Sequence, residues 1–237
     1  MMPDVGSVIE LLPLALLAGI FGLDVVSFPQ AMISRPIVAA TVGGAMYGSP
    51  LAGLVCGAAL ECLALESLPV GASRYPEWGS ASVVAGVIAA LGSDPGAPPS
   101  GSALMVSVCV GIAAAWLGGW TMLRHRHFIA VFARPRLGQL AAGSRNTVIG
   151  LQLFGLTVDI VRGAFLGLTV YIPARLLMDF SRAHWSMPED ITRAVVVTCV
   201  AAVAVTAVWK DFHAISGTRR LFMASLAVGT LLVVLRG

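Results

Sequence analysis

Charge is scarce in this sequence. Asp, Glu, Lys and Arg make up 11% of its 237 residues, against about 25% in a soluble domain, and the mean hydropathy is +0.88. So little polar surface excludes an ordinary soluble monomer. Cysteine is equally sparse: Cys56, Cys62, Cys109 and Cys199 all fall in apolar stretches. None has the paired spacing of a zinc site, so buried free thiols are expected, with no metal and no cofactor. The chain contains no GxxxxGK[ST] phosphate loop, no HExxH and no GxSxG. ATP-driven transport by this chain alone and intramembrane proteolysis are thereby disfavoured, and no catalytic residue is expected. The four histidines, His125, His127, His184 and His213, fall in loops or at expected helix ends. That argues against a relay of intramembrane histidines for protons. No Lys or Arg precedes the apolar run 8–23, which also follows Asp4, so it reads as a retained helix and not as a secretory signal.

Long apolar stretches are present instead. A helix needs about 20 such residues to cross about 30 Å of hydrocarbon, whereas a barrel strand would show about ten alternating ones. The expected fold is therefore an all-α, polytopic membrane protein with about six to eight transmembrane or re-entrant helical segments, some of them broken. A first helix is expected over 7–28. The apolar region 37–70 is too long for one perpendicular span and is interrupted by Tyr47-Gly48-Ser49-Pro50, so it divides into two pieces. The piece 81–91 is too short to cross comfortably. A Pro-, Gly- and Ser-rich turn at 92–101 separates a first half, 1–91, from a second half, 102–237, within one membrane domain. Spans are expected at 102–123, 148–177, 192–209 and 221–235. Arg124, Arg126, Arg134, Arg136 and Arg145 lie between two apolar stretches with no acid among them. The positive-inside rule places this loop in the cytoplasm, and flanks this apolar argue against a nucleic-acid partner.

Charges at bilayer depth demand a partner, a water-filled cavity or a function. Asp24, Glu61, Glu66, Asp159 and Arg162 qualify. Asp159 and Arg162 are three apart, a spacing that lets opposite charges meet on a helix, as a structural or a functional pair. Glu61 and Glu66 stand about 140° apart on an ideal helix, so both face one site only if the helix breaks. Pro69 supplies a break, because it lacks an N–H and disfavours helix at Leu68. Unwound backbone in a membrane must face protein or water, where its carbonyls and amides can bind hydroxyl-rich ligands. The stretch from Glu61 to Ser82 thus reads as a polar ligand site, the rival being a re-entrant loop with no ligand. Glu61, Glu66, Gly71, Arg74, Glu77 and Trp78, with Asp24 and Gln30 from the first helix and its following connection, are the candidate substrate-binding residues.

The segment SRPIVAATVGGAMYGSPLAGLVCGAALECLALESLPVGASRYPEWGSASVV resembles the IIC subunits of the mannose/fructose/sorbose-type sugar phosphotransferase family. The likeness runs from Leu23 to Ala90: an Arg35-Pro36-led glycine-rich helix, the Leu60-Glu61 pair, the loop glycine Gly71, the loop proline Pro76 and the acid Glu77. It implies a sugar permease in the bacterial cytoplasmic (inner) membrane. The implied partners are a IID-type membrane subunit, cytoplasmic IIA and IIB phosphocarrier proteins, a sugar and the lipid bilayer, in a trimeric homo-oligomeric assembly. Mannose-type members carry Gly where this chain has Glu66 and Asn where it has Pro69. The amide expected to contact mannose is thus missing, which leaves the sugar open and leaves room for loss of phosphotransfer coupling. Two other functions remain beside the permease: a solute channel or binding subunit of the same fold without phosphoryl coupling, and a membrane scaffold subunit.

Overall fold

The computed structural model describes residues 11–24, 27, 31–65, 75–213 and 217–236. Helix α1 spans Leu12–Asp24. The apolar region after it does divide in two: α2 (Pro36–Met46) and α3 (Pro50–Ala64) each begin with proline at a first helical position, where the missing N–H costs nothing. Between them Gly48 adopts φ 82°, a left-handed conformation that glycine reaches freely. The turn is closed by Ser49 N donating to Gly44 O at 3.0 Å.

Helix α4 (Trp78–Leu91) is short because the bundle surrounds it. Every residue from Gly79 to Ala90 is buried, and the helix packs against α1, α2 and α3 and against the two long helices α5 (Gly101–Ala133) and α7 (Arg145–His184). A helix apolar on all sides suits such a buried position. Backbones approach closely where glycine removes the obstacle: a Cβ on Gly86 would fall on the Ala40 carbonyl, and one on Gly44 would stand 2.8 Å from the Gly53 Cα. Small residues give membrane helices this intimacy.

Among the described residues, four helical stretches are long and apolar enough to cross a membrane: Gly101–Ala141, Arg145–His184, Glu189–Lys210 and Thr218–Leu235. The last two lie within α8 (Glu189–His213) and α9 (Thr218–Arg236). Helix α9 exposes Leu221, Leu231, Val233 and Leu235, as a lipid-facing element does.

Two expectations are corrected. The arginine-rich stretch is not a loop from Arg124 onward. Helix α5 carries Arg124 and Arg126 and ends only at Ala133, followed by a 3-10 turn Arg134–Arg136 and the short α6 (Leu137–Ala141). Hydropathy falls at Leu123, but no helix breaker occurs before Pro135, so backbone hydrogen bonding carries the helix on. Consequently His125 lies inside α5 and not at a helix end, and its Nδ1 is buried without a hydrogen-bond partner among the described residues.

Candidate functional site

From Tyr75 the chain runs along α5 before α4 begins. Glu77 N donates to Ala115 O at 2.8 Å. The pair Gly118-Gly119 makes the passage possible, since a Cβ on Gly118 would stand 2.8 Å from the Glu77 Cβ and one on Gly119 would strike the Tyr75 carbonyl. Glu77 then caps α4, its Oε1 accepting from Ser80 N at 3.0 Å, a position where carboxylates meet both the exposed N–H groups and the positive end of the helix dipole. Ser80 ties the same turn to α1 by donating Oγ to Ala18 O at 2.8 Å, in space left by Gly22.

Glu77 is completely buried, and its Oε2 has no hydrogen-bond partner among the described residues. It faces Arg162 Nη1 at 3.9 Å, a Coulombic contact longer than a hydrogen bond. Arg162 Nε donates to Asp159 Oδ1 at 2.8 Å, and its Nη1 donates to Thr121 Oγ1 at 3.3 Å. Its Nη2 has no hydrogen-bond partner among the described residues. Asp159 Oδ2 accepts from Ser27 Oγ at 2.7 Å. The Asp159–Arg162 pairing read from the spacing is therefore present, buried and extended by a third charge: two carboxylates share one guanidinium. Beside it, Arg126 Nη2 donates to Tyr75 Oη at 2.6 Å, with the guanidinium 5.3 Å from the ring centre. A cavity of about 460 Å3 between α5 and α7 adjoins this cluster, with Ser27, His125, Arg126 and Gln152 as its polar lining. It falls within the usual size range for small-molecule sites.

The other candidates are placed differently. Glu61 forms an ion pair with Arg35 and its Oε2 accepts from Ile37 N at 3.3 Å, clipping α3 to the start of α2. Asp24 is buried, and its two oxygens accept from Ala31 N at 2.6 Å and Ser34 N at 3.0 Å, bracing a turn in which Met32 adopts φ 61°. Trp78 is half-buried against the apolar clusters around α4 and α5. Gln30, Glu66, Gly71 and Arg74 lie outside the described residues. The structure thus brings Glu77 together with Asp159 and Arg162, and gives Glu61 and Asp24 partners of their own. Ser27, Thr121, His125 and Arg126 join the cluster without having been singled out as site residues. Ser27 lay within the expected first helix and Thr121 within the expected span 102–123, their polarity the only signal, whereas His125 and Arg126 become helix interior because α5 continues past Leu123.

The profile of the family described as "PTS system sorbose-specific iic component" matches residues 8–208. The chain is 27% identical over 166 residues to a PTS system sorbose-specific EIIC component of Klebsiella pneumoniae, covering 67% of this chain and 56% of that protein. It is 27% identical over 188 residues to a fructose permease IIC component of Bacillus subtilis (strain 168), covering 79% and 65% respectively. The chain therefore matches somewhat under two thirds of the length of each of these relatives. A solved membrane-protein structure superimposes with a TM-score of 0.69 at 17% identity, covering 99% of this chain and 96% of that one, which supports the fold alone. With the match spanning most of the chain and the all-helical membrane fold on which it lies, this protein belongs to the family of sorbose-type IIC components of the sugar phosphotransferase system.

Proposed function

We propose that this chain is the sugar-translocating IIC subunit of a phosphoenolpyruvate-dependent phosphotransferase system, acting as one membrane unit in the bacterial cytoplasmic membrane. It works beside a IID-type membrane subunit, and cytoplasmic IIA and IIB proteins carry the phosphoryl group. Family membership supports the assignment, and the names of the two relatives, one sorbose-specific and one a fructose permease, point to a ketohexose. The observation that carries the reading is Glu77: a fully buried carboxylate with one oxygen unengaged among the described residues and a guanidinium 3.9 Å away. A carboxylate accepts hydrogen bonds from sugar hydroxyls and Arg162 donates to them, so vicinal hydroxyls entering from the adjacent cavity find both partners. Glu61, Glu66, Gly71, Arg74 and Trp78, with Asp24 and Gln30, are the further residues proposed to serve sugar binding. Glu61, paired with Arg35, holds α3 against the start of α2.

Equilibrium binding of radiolabelled sorbose and fructose to the chain assembled with its membrane partner tests the proposal. Glu77→Gln retains shape and removes charge. A charge-assisted hydrogen bond contributes roughly 1.5–3 kcal/mol, so affinity should fall by about tenfold or more, whereas Glu61→Gln should weaken it less. Unchanged affinity in well-assembled Glu77→Gln protein refutes the contact.

The arginine-rich end of α5 and α7 is proposed to face the cytoplasm. Ala142 is exposed and precedes Gly143, whose φ of 74° suits only glycine well, so Ala142→Cys is the better reporter. In intact cells an impermeant thiol reagent applied outside should leave it unmodified until the membrane is permeabilised. Efficient labelling from outside reverses the orientation.

A further inference from the structure

We propose that the groove at the tip of the α5–α7 hairpin binds the headgroup of an anionic phospholipid. This site stands apart from the cluster around Glu77 and does not depend on the transport reading. The groove has a volume of about 450 Å3 and lies between the end of α5, the 3-10 turn and the first turns of α7. Its polar residues are Arg136, Gln139, Asn146 and Thr147, and its apolar wall includes Phe132 and Phe154, whose rings stack at 4.1 Å.

Arg136 is held in place for the role. Its Nη1 donates to Phe132 O at 2.6 Å and its guanidinium lies 4.0 Å from the centre of the Phe132 ring. One of its five N–H donors is used in that bond, and the planar fork suits phosphate oxygens. Thr147 Oγ1 lies 3.0 Å from Gln139 Oε1 and 2.9 Å from Ser144 Oγ, a chain of polar groups beside Arg136. The electrostatics agree in sign. No Asp or Glu occurs between Asp94 and Asp159, while Arg124, Arg126, Arg134, Arg136 and Arg145 all do. The N-cap residue Ser144 makes no side-chain cap to α7, which adds the positive end of a 40-residue helix dipole to the same region.

Charge alone would fit any phosphate; the rim decides for a lipid. Val131, Leu137 and Leu153 are each more than half exposed beside this basic floor. The α5 and α7 helices, of 33 and 40 residues, rise about 50 and 60 Å at 1.5 Å per residue, so they outreach the hydrocarbon layer and carry the groove toward the headgroups. A phosphodiester flanked by acyl chains matches both the basic floor and the apolar rim. Basic pockets between helices at a membrane surface bind lipid headgroups in this way.

Thermal unfolding of the purified full chain in detergent, titrated with phosphatidylglycerol, phosphatidylcholine or inorganic phosphate, tests the proposal. Phosphatidylglycerol should stabilise at lower concentration than phosphatidylcholine, and inorganic phosphate at matched ionic strength should do nothing. Arg136→Gln should need about fivefold more phosphatidylglycerol, the effect of one arginine near an anionic surface. Arg175→Gln, at the opposite end of α7 and paired with Asp179 at 3.8 Å, should titrate like the unaltered protein. Equal stabilisation by the two lipids, reproduction of the shift by phosphate alone, or an Arg136→Gln curve that overlays the unaltered one overturns the assignment. A photoactivatable phosphatidylglycerol on the unaltered chain gives an answer independent of how the variant folds. Crosslinks within residues 132–154 support the site, and crosslinks confined to other segments refute it.

Discussion

Arg162→Gln should be the most damaging single substitution in the molecule, costing about 3–5 kcal/mol and leaving little monodisperse protein after extraction. Arg162 is 8% exposed, Asp159 1% and Glu77 0%. Removing the shared cation strands two carboxylates in a low-dielectric setting, where an uncompensated charge is far more costly than a missing pair. Asp159→Asn alone leaves Arg162 beside Glu77, and the double variant Asp159→Asn/Arg162→Gln leaves one charge in place of two. Both should therefore be milder than Arg162→Gln, and the further addition of Glu77→Gln should restore most of the yield. Yield and thermal stability of the four variants decide the matter. Simple additivity of the losses would show that the three charges do not act as one group.

Gly86→Val should be almost as severe for a steric reason. The Cβ of any larger residue falls on the backbone carbonyl of Ala40, and no flexible side-chain tip is available to move aside. The α2–α4 crossing would have to open, at a cost of about 3 kcal/mol or more. Because α4 contacts five other helices, the displacement would spread to the Glu77 cap at its start. Loss of both stability and sugar binding is expected. Gly150→Val, where nothing lies within 4 Å of the added Cβ, should be close to neutral. A Gly86→Val protein as stable as the unaltered chain would refute the close approach.

Parts of this organisation were written locally in the sequence. Pro36 and Pro50 mark the starts of α2 and α3 because proline at N1 sacrifices no hydrogen bond, and Gly48 marks the turn between them. Asp159 and Arg162 are legible as a pair because three residues bring them to one helix face. Glu61 was legible as a charge in need of a partner, and the structure supplies Arg35. What could not be read was the meeting of distant groups. Glu77 and Arg162 come together only because Gly118 and Gly119 admit the chain against α5 and Gly22 and Gly163 admit α1 against α7, and no periodicity encodes such a crossing. The length of α5 escaped notice for a different reason. Apolar content reports burial in lipid, whereas a helix continues into polar sequence until its hydrogen bonds are interrupted. With it went the placement of His125 and Arg126 beside the cavity.

The central claim, that this chain carries a sugar across the membrane, is tested most directly by uptake. Cells lacking their own ketohexose permeases would express the chain with its membrane partner and phosphocarrier proteins, and be supplied with radiolabelled sorbose or fructose. Label should accumulate as sugar phosphate, and Glu77→Gln, expressed and assembled at normal levels, should lower the initial rate by about tenfold or more. A fully assembled complex that takes up neither sugar, or takes them up equally well without Glu77's charge, would contradict the account.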